Sequence, residues 1–375
     1  MRRSWLVLLL ALVLWPSPSA RAAAAPQTAG VQSFLDSINR GTQGYLPPVT
    51  LGGVGQLLRG GPSPWSERRV VGGLWRYLLG ELRPNLRLVG QLVVLAALCA
   101  LLQKLQGAFA GETVGKLAYA VCYLALLALA VKSFSLAVGT ARGAVDGLTG
   151  FMAALFPTMV TLLAASGALI TAGLLHPVLV AVISTVGFLA ANLVLPLLVM
   201  AALLEVAGSL ATGFSLSGVA ALLRQGGLLV LGLGMSAFLG VLAVEGAVGP
   251  VSDGVALRSG KFLSATFIPV VGKLFSDATE AVFGSSLLLK NVVGVAGVLG
   301  VAVLVVLPLL KLVAVVLAYR LAQAAVQPMG AGPVAKALGT LAHALTLVTT
   351  TVLAVAVMFF LTLTVLLTAA NPAVG

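Results

Sequence analysis

The residues best suited to chemistry gather in one stretch. From Glu245 to Asn291 the chain carries Asp253, Arg258, Lys261, Lys273, Asp277, Glu280 and Lys290 on a background that is half polar and half apolar. Pro269 and Gly272 divide it into two pieces, each too short to cross a bilayer as a helix. Lys273 and Asp277 stand four apart and Asp277 and Glu280 three apart, so on a helix they share one face. Broken amphipathic backbone is tolerated at membrane depth where it lines a water-filled cavity, which makes a re-entrant gate one reading. An interfacial loop of two amphipathic helices is the other. Glu245 adds weight to the gate, because an ionisable group inside an apolar run faces a cavity or a partner charge. Lys311 is the second such group, just after Pro308. A secondary transporter would pair ionisable residues at the midplane, and only these two approach that.

Covalent and acid–base chemistry finds no template. There is no HExxH, no Walker A lysine loop and no GxSxG, and the only histidines are His176 and His343. Ser236 with His343, or Asp253 with Asp277, would suit an intramembrane protease, yet neither pair sits in a recognisable motif. The expectation is a protein with no catalytic, cofactor or metal residues. Cys99 and Cys122 fall in apolar runs, where a thiol serves as a small packing residue, and their spacing gives no metal site or disulfide framework.

The elements that must position these groups follow from composition. Of 375 residues 60% are hydrophobic and 9% charged, with a mean hydropathy of +1.12. Twenty-two basic and ten acidic residues cannot clothe so large an apolar surface in water, so its solvent is lipid. Asp146 to Glu205, Lys290 to Lys311 and Lys336 to the C-terminus are free of charge between their ends, each long enough to cross a bilayer. The net charge of +12 sits mostly at segment ends as headgroup anchors, without interleaved stacking aromatics, so nucleic acid is not an expected partner.

The fold expected is an all-α polytopic membrane bundle of about seven spans: 86–105, 117–138, 148–175, 177–204, 228–248, 292–318 and 345–369. The sixth has an alternative, a pair of half-helices reaching Val326. The third and fourth should meet in a tight bend at Gly173 to Pro177, with Pro157 and Pro196 kinking the arms. Residues 1–22 read as a cleavable signal peptide: Arg2 and Arg3, an apolar run from Trp5 to Trp15, and Ala20-x-Ala22. Residues 23–85 then form an extracytoplasmic polar segment whose second half, Trp65 to Leu86, suits an interfacial helix, and residues 86–375 the membrane domain. Seven spans from an outside start put Lys104, Lys116, Arg258, Lys261, Lys273 and Lys290 together on the cytoplasmic side. Glycines at close spacing, Gly227, Gly232, Gly234 and Gly240, then Gly294, Gly297 and Gly300, serve close helix packing within the chain or between copies.

The polar strings outside the spans resemble the stage III sporulation protein AE family. They are 252–262 (SDGVALRSGKF), 267–272 (FIPVVG), 275–280 (FSDATE), 285–291 (SSLLLKN), His176-Pro177 and 327–333 (QPMGAGP). The resemblance implies a subunit of the complex that endospore formers build between mother cell and forespore, a channel or export apparatus required for late forespore gene expression. It implies partners encoded in the same operon, including a cytoplasmic secretion-type ATPase and ring-forming proteins, with forespore protein Q met indirectly, in the mother-cell-derived membrane around the forespore. The positions matching its polar signature are Asp253, Gly254, Arg258, Lys261, Pro269, Asp277, Glu280 and Lys290. They are expected to form a gate or a docking face for the ATPase, in a permease-like pore or in a non-conducting scaffold.

Overall fold

The computed structural model describes residues 31–42, 44–60, 65–105, 112–166, 168–208, 216–267 and 271–368. Within these, the side chains of 105, 112–114, 116, 169–171, 174–176, 245–267 and 271–285 fall outside the description. The expected signal peptide, Pro269 and the side chain of His176 therefore lie outside the described residues.

The described chain is helical, without a strand. A short helix over residues 31–41 (α1) and α2 (Leu51–Leu58) precede α3 (Glu67–Leu105) and α4 (Glu112–Ala165). Helix α5 (Leu169–Leu189) runs through a π segment (Ala190–Val194) into α6 (Leu195–Gly208). Then come α7 (Ser217–Phe267), α8 (Val271–Val326) and α9 (Gly332–Thr368). Six of the described helical stretches are long and apolar enough to span a membrane: α3, α4, α5 with α6, α7, α8 and α9. The chain is an integral membrane protein built as a helix bundle.

Six spans replace the expected seven because the second and third are one helix. Helix α4 continues for 54 residues through Lys132, Arg142 and Asp146, which hydropathy alone reads as a connection. Arg142 donates to Asn192 Oδ1 at 3.0 Å, so its charge is met by a neighbouring helix rather than by solvent in a loop. The bend also moves. It falls at residues 166–168, where the Ala168 amide reaches back to the Leu163 carbonyl at 3.2 Å and the Ser166 hydroxyl caps the same carbonyl at 2.7 Å. Helix α4 ends at Ala165, whereas Pro177 sits within α5 without breaking it. Pro196 cannot donate to the carbonyl four residues back, and its ring crowds that carbonyl. The π segment just before it widens the helix there, as an alternative to the sharp kink expected. Helix α8 passes Pro308 intact to Val326, so the sixth span is one helix.

The reversal from α8 to α9 uses the string Gln327-Pro328-Met329-Gly330-Ala331-Gly332-Pro333. A single turn of 3₁₀ helix closes on Gly330 at φ 82°, a left-handed conformation that a side chain would strain.

Helix α8 is the hub of the bundle, packed against α3, α4 and α9. Gly294, Gly297 and Gly300 line its contact face. A Cβ at Gly297 would sit 2.5 Å from Leu155 and one at Gly300 2.7 Å from the Phe151 ring, while one at Gly294 would collide with Leu367. These three glycines serve packing within the chain. Tyr319, fully buried on α8, donates its hydroxyl to the Ala130 carbonyl of α4 at 2.5 Å. In α9 the hydroxyls of Thr346, Thr349, Thr351 and Thr362 bond back to carbonyls four residues earlier, leaving no free donor to meet lipid or core.

Residues 31–58 fold against this bundle. Val31, Leu35, Ile38, Val49 and Val54 are buried in its core, and Phe34 meets Phe151 at 5.1 Å between ring centres. Asn39 pins the returning strand of chain by accepting from the Val49 amide at 2.8 Å and donating to its carbonyl at 2.9 Å. Trp65 to Leu86 is not set off from the first span: α3 runs through Pro84 without a break, so the boundary expected at residue 85 falls inside a helix.

Candidate functional site: the charged ends of the bundle

The candidate gate stretch becomes an arm. Asp253, Gly254, Arg258 and Lys261 lie on the last turns of α7, and Lys273, Asp277 and Glu280 on the first turns of α8, with the helix break between Phe267 and Val271. Helix α7 is described to Phe267 and α8 from Val271, with Gly272 already inside α8. The two pieces are continuations of helices of 51 and 56 residues rather than separate short helices. Glu245 sits within α7, upstream of the arm.

Lys290 marks where the arm leaves the bundle. Its side chain is fully buried, and its ammonium donates to the carbonyl of Leu367 at 2.8 Å, in the last described turn of α9. The bond joins α8 to α9 through a charge-assisted contact to backbone. Residues 271–289 of α8 continue past that level. At 1.5 Å per residue this is a projection of about 28 Å. Lys311 is elsewhere: exposed, about three-quarters of the way along α8, at a cavity of about 350 Å³ bounded also by Ser37 and Thr42 of the N-terminal segment, Tyr77 and Thr140. The structure brings none of the other candidates to it among the described side chains.

The opposite end holds charges that the sequence reading passed over as anchors. Glu205 of α6 and Arg224 of α7 pair at 3.2 Å across the connection between their helices. Arg320 of α8 and Lys336 of α9 flank the Gly330 reversal, and Lys104 lies at the end of α3. Their common signal was present: each lies within two or three turns of a chain reversal. With six antiparallel helices, this end and the α7–α8 arm lie at opposite ends of the bundle. Lys104 therefore cannot share a side with Arg258, Lys261, Lys273 and Lys290, as seven spans would have it, because the merged α4 reverses the sidedness of everything after it.

Cys99 and Cys122, free thiols on α3 and α4, meet with sulfurs 3.1 Å apart. On α7, Gly232, Gly234 and Gly240 face open space, beside exposed Leu229, Leu233 and Leu239. Helix α7 is the span that the rest of the chain covers least.

Comparison with known proteins gives one consistent answer. The family model described as stage III sporulation protein AE matches residues 51–370. The stage III sporulation protein AE of Bacillus subtilis (strain 168) is 37% identical over 351 residues, which is 94% of this chain and 88% of that protein. No solved structure matches the chain.

Proposed function

Because the chain belongs to the stage III sporulation protein AE family, we propose that it is the permease-like membrane subunit of a channel or export complex joining mother cell and forespore. Its place in the stage III sporulation system follows from family; the mechanism is our reading. The chain performs no catalysis of its own and works with a separate cytoplasmic secretion-type ATPase.

The observation that carries the reading is the charged α7–α8 arm projecting past Lys290, which holds the signature residues at one end of the bundle. We place the end with Lys104, Arg320 and Lys336 on the cytoplasmic side, facing the ATPase, because an export signal over residues 1–22 leaves the start of α3, and with it the arm, outside. The arm then faces the space between the two membranes, on the side of the ring-forming proteins. It also gates passage toward forespore protein Q, in the mother-cell-derived membrane. The core of one chain is filled by Phe151, Phe156, Tyr319 and Phe359, so any conducting path runs between copies or between this chain and its partners. That packed core also favours the second reading, a scaffold that recruits the rings and conducts nothing.

Charge reversal at Asp253 and Arg258 separates the two. If rings assemble and late forespore expression is lost, the gate stands; if ring recruitment itself fails, scaffolding replaces it. Sidedness is checked by cysteine labelling at Ser264 and Gly332 with Cys99 and Cys122 replaced. Opposite sides are expected, with Ser264 outside, and labelling of Ser264 from the cytoplasm overturns the orientation.

A further inference from the structure

At the turn end of the bundle, α8 and α9 diverge just enough to leave a groove of about 420 Å³ lined by Arg320, Gln323, Lys336, Gly339, Ala342 and His343. That volume is in the range of small-ligand sites, roughly 300–1,000 Å³. We propose that this groove binds the phosphate of an anionic membrane lipid.

Charge comes first. Arg320 and Lys336 enter the groove from different helices, and among the described residues no carboxylate pairs with either. Glu205 lines the adjoining cleft that shares His343 with the groove, and it is already engaged with Arg224 at 3.2 Å. The groove thus keeps two uncompensated positive charges. Arg offers a planar fork and Lys a point charge, and the two together suit phosphate oxygens.

Shape comes second. Gly339 is what lets the helices carry a polar floor: a Cβ there would stand 2.6 Å from the Gln323 amide nitrogen, so the amide lies directly over the α9 backbone. Gln323 and His343 add neutral hydrogen-bonding groups beside the two cations.

Depth decides the source of the phosphate. Arg320 and Lys336 lie within about three helical turns of Gly330, the position of headgroups at the end of a spanning helix. Directly away from the turn, Val313 and Leu317 continue the Arg320 stripe on α8 at helical spacing, both exposed. On α9, Val357 stands two heptads beyond His343, also exposed. A site for free phosphate needs no such tracks, whereas acyl chains below a headgroup do. Basic pockets between spanning helices are an established way of holding diphosphatidylglycerol headgroups.

The full-length protein in phosphatidylcholine nanodiscs doped with diphosphatidylglycerol or phosphatidylglycerol tests this. Lipid retained per chain is counted by native mass spectrometry after extraction. The wild type should keep one anionic lipid, and Arg320→Gln with Lys336→Gln should weaken retention about tenfold or more, while Arg40→Gln, on the exposed N-terminal helix, leaves it unchanged. Gly339→Ala, which displaces Gln323 without altering charge, should weaken it less. Circular dichroism confirms that each variant remains helical. Equal retention by the double variant and the wild type overturns the proposal. So does displacement of the lipid by inorganic phosphate alone, which would make this a free-anion site, or binding of an acidic peptide with no lipid retained.

Discussion

The ammonium of Lys290 and the carbonyl of Leu367 stand 2.8 Å apart, tying the start of the α8 arm to the last turn of α9. A charge this enclosed is expensive unless it has a partner, and the one it has is a backbone carbonyl of α9.

Lys290→Met should keep the packing and lose the bond, costing about 1–2 kcal/mol, whereas Lys290→Ala adds a cavity and should cost about 2–4 kcal/mol. Unfolding in mixed micelles by titrated dodecyl sulfate gives the order. A neutral Lys290→Ala would mean that the α9 end is held by something other than this contact.

Glycine positions should divide into two classes. Gly300→Val drives its branches into the Phe151 ring and should destabilise by about 1–3 kcal/mol in the same assay. Gly232→Ala meets nothing within 4 Å and should be neutral or gain up to about 1 kcal/mol from helix propensity. If Gly232→Ala leaves the isolated chain intact but shifts its oligomeric size on multi-angle scattering, the open face of α7 is where copies meet.

The thiols of Cys99 and Cys122 should oxidise to one another with a membrane-permeant oxidant such as diamide. The product is a disulfide closing α3 against α4, detected as loss of both alkylation sites and a mass lower by two hydrogens. Cys99→Ser should abolish it. Alkylation of both thiols after oxidant treatment would show that the helices do not approach as closely as 3.1 Å between sulfurs.

Much of the architecture could be read from residue types because lipid imposes so simple a rule. Charge-free runs had to be helices. What stayed hidden depends on partners far away in the chain. Arg142 looks like the edge of a loop until Asn192, fifty residues on, supplies its acceptor. Lys290 reads as a docking charge until Leu367, 77 residues on, encloses it. Arg320 and Lys336 read as separate anchors, since nothing in either segment tells that the Gly330 turn folds them side by side. The side chains of the arm itself, from Asp253 to Glu280, lie outside what the structure describes.

The height of the bundle sets how the protein must live in the cell. Helix α8 has 56 residues, roughly 84 Å of helix against about 30 Å of hydrocarbon. Exposed apolar side chains occur at both extremes: Leu117 and Val121 on α4, ahead of the Tyr123 that reaches the Pro333 carbonyl, and Leu288 just before Lys290 on α8. One acyl layer, or one detergent belt, cannot clothe both. Purified by itself, the chain is a column whose apolar collar one belt leaves bare.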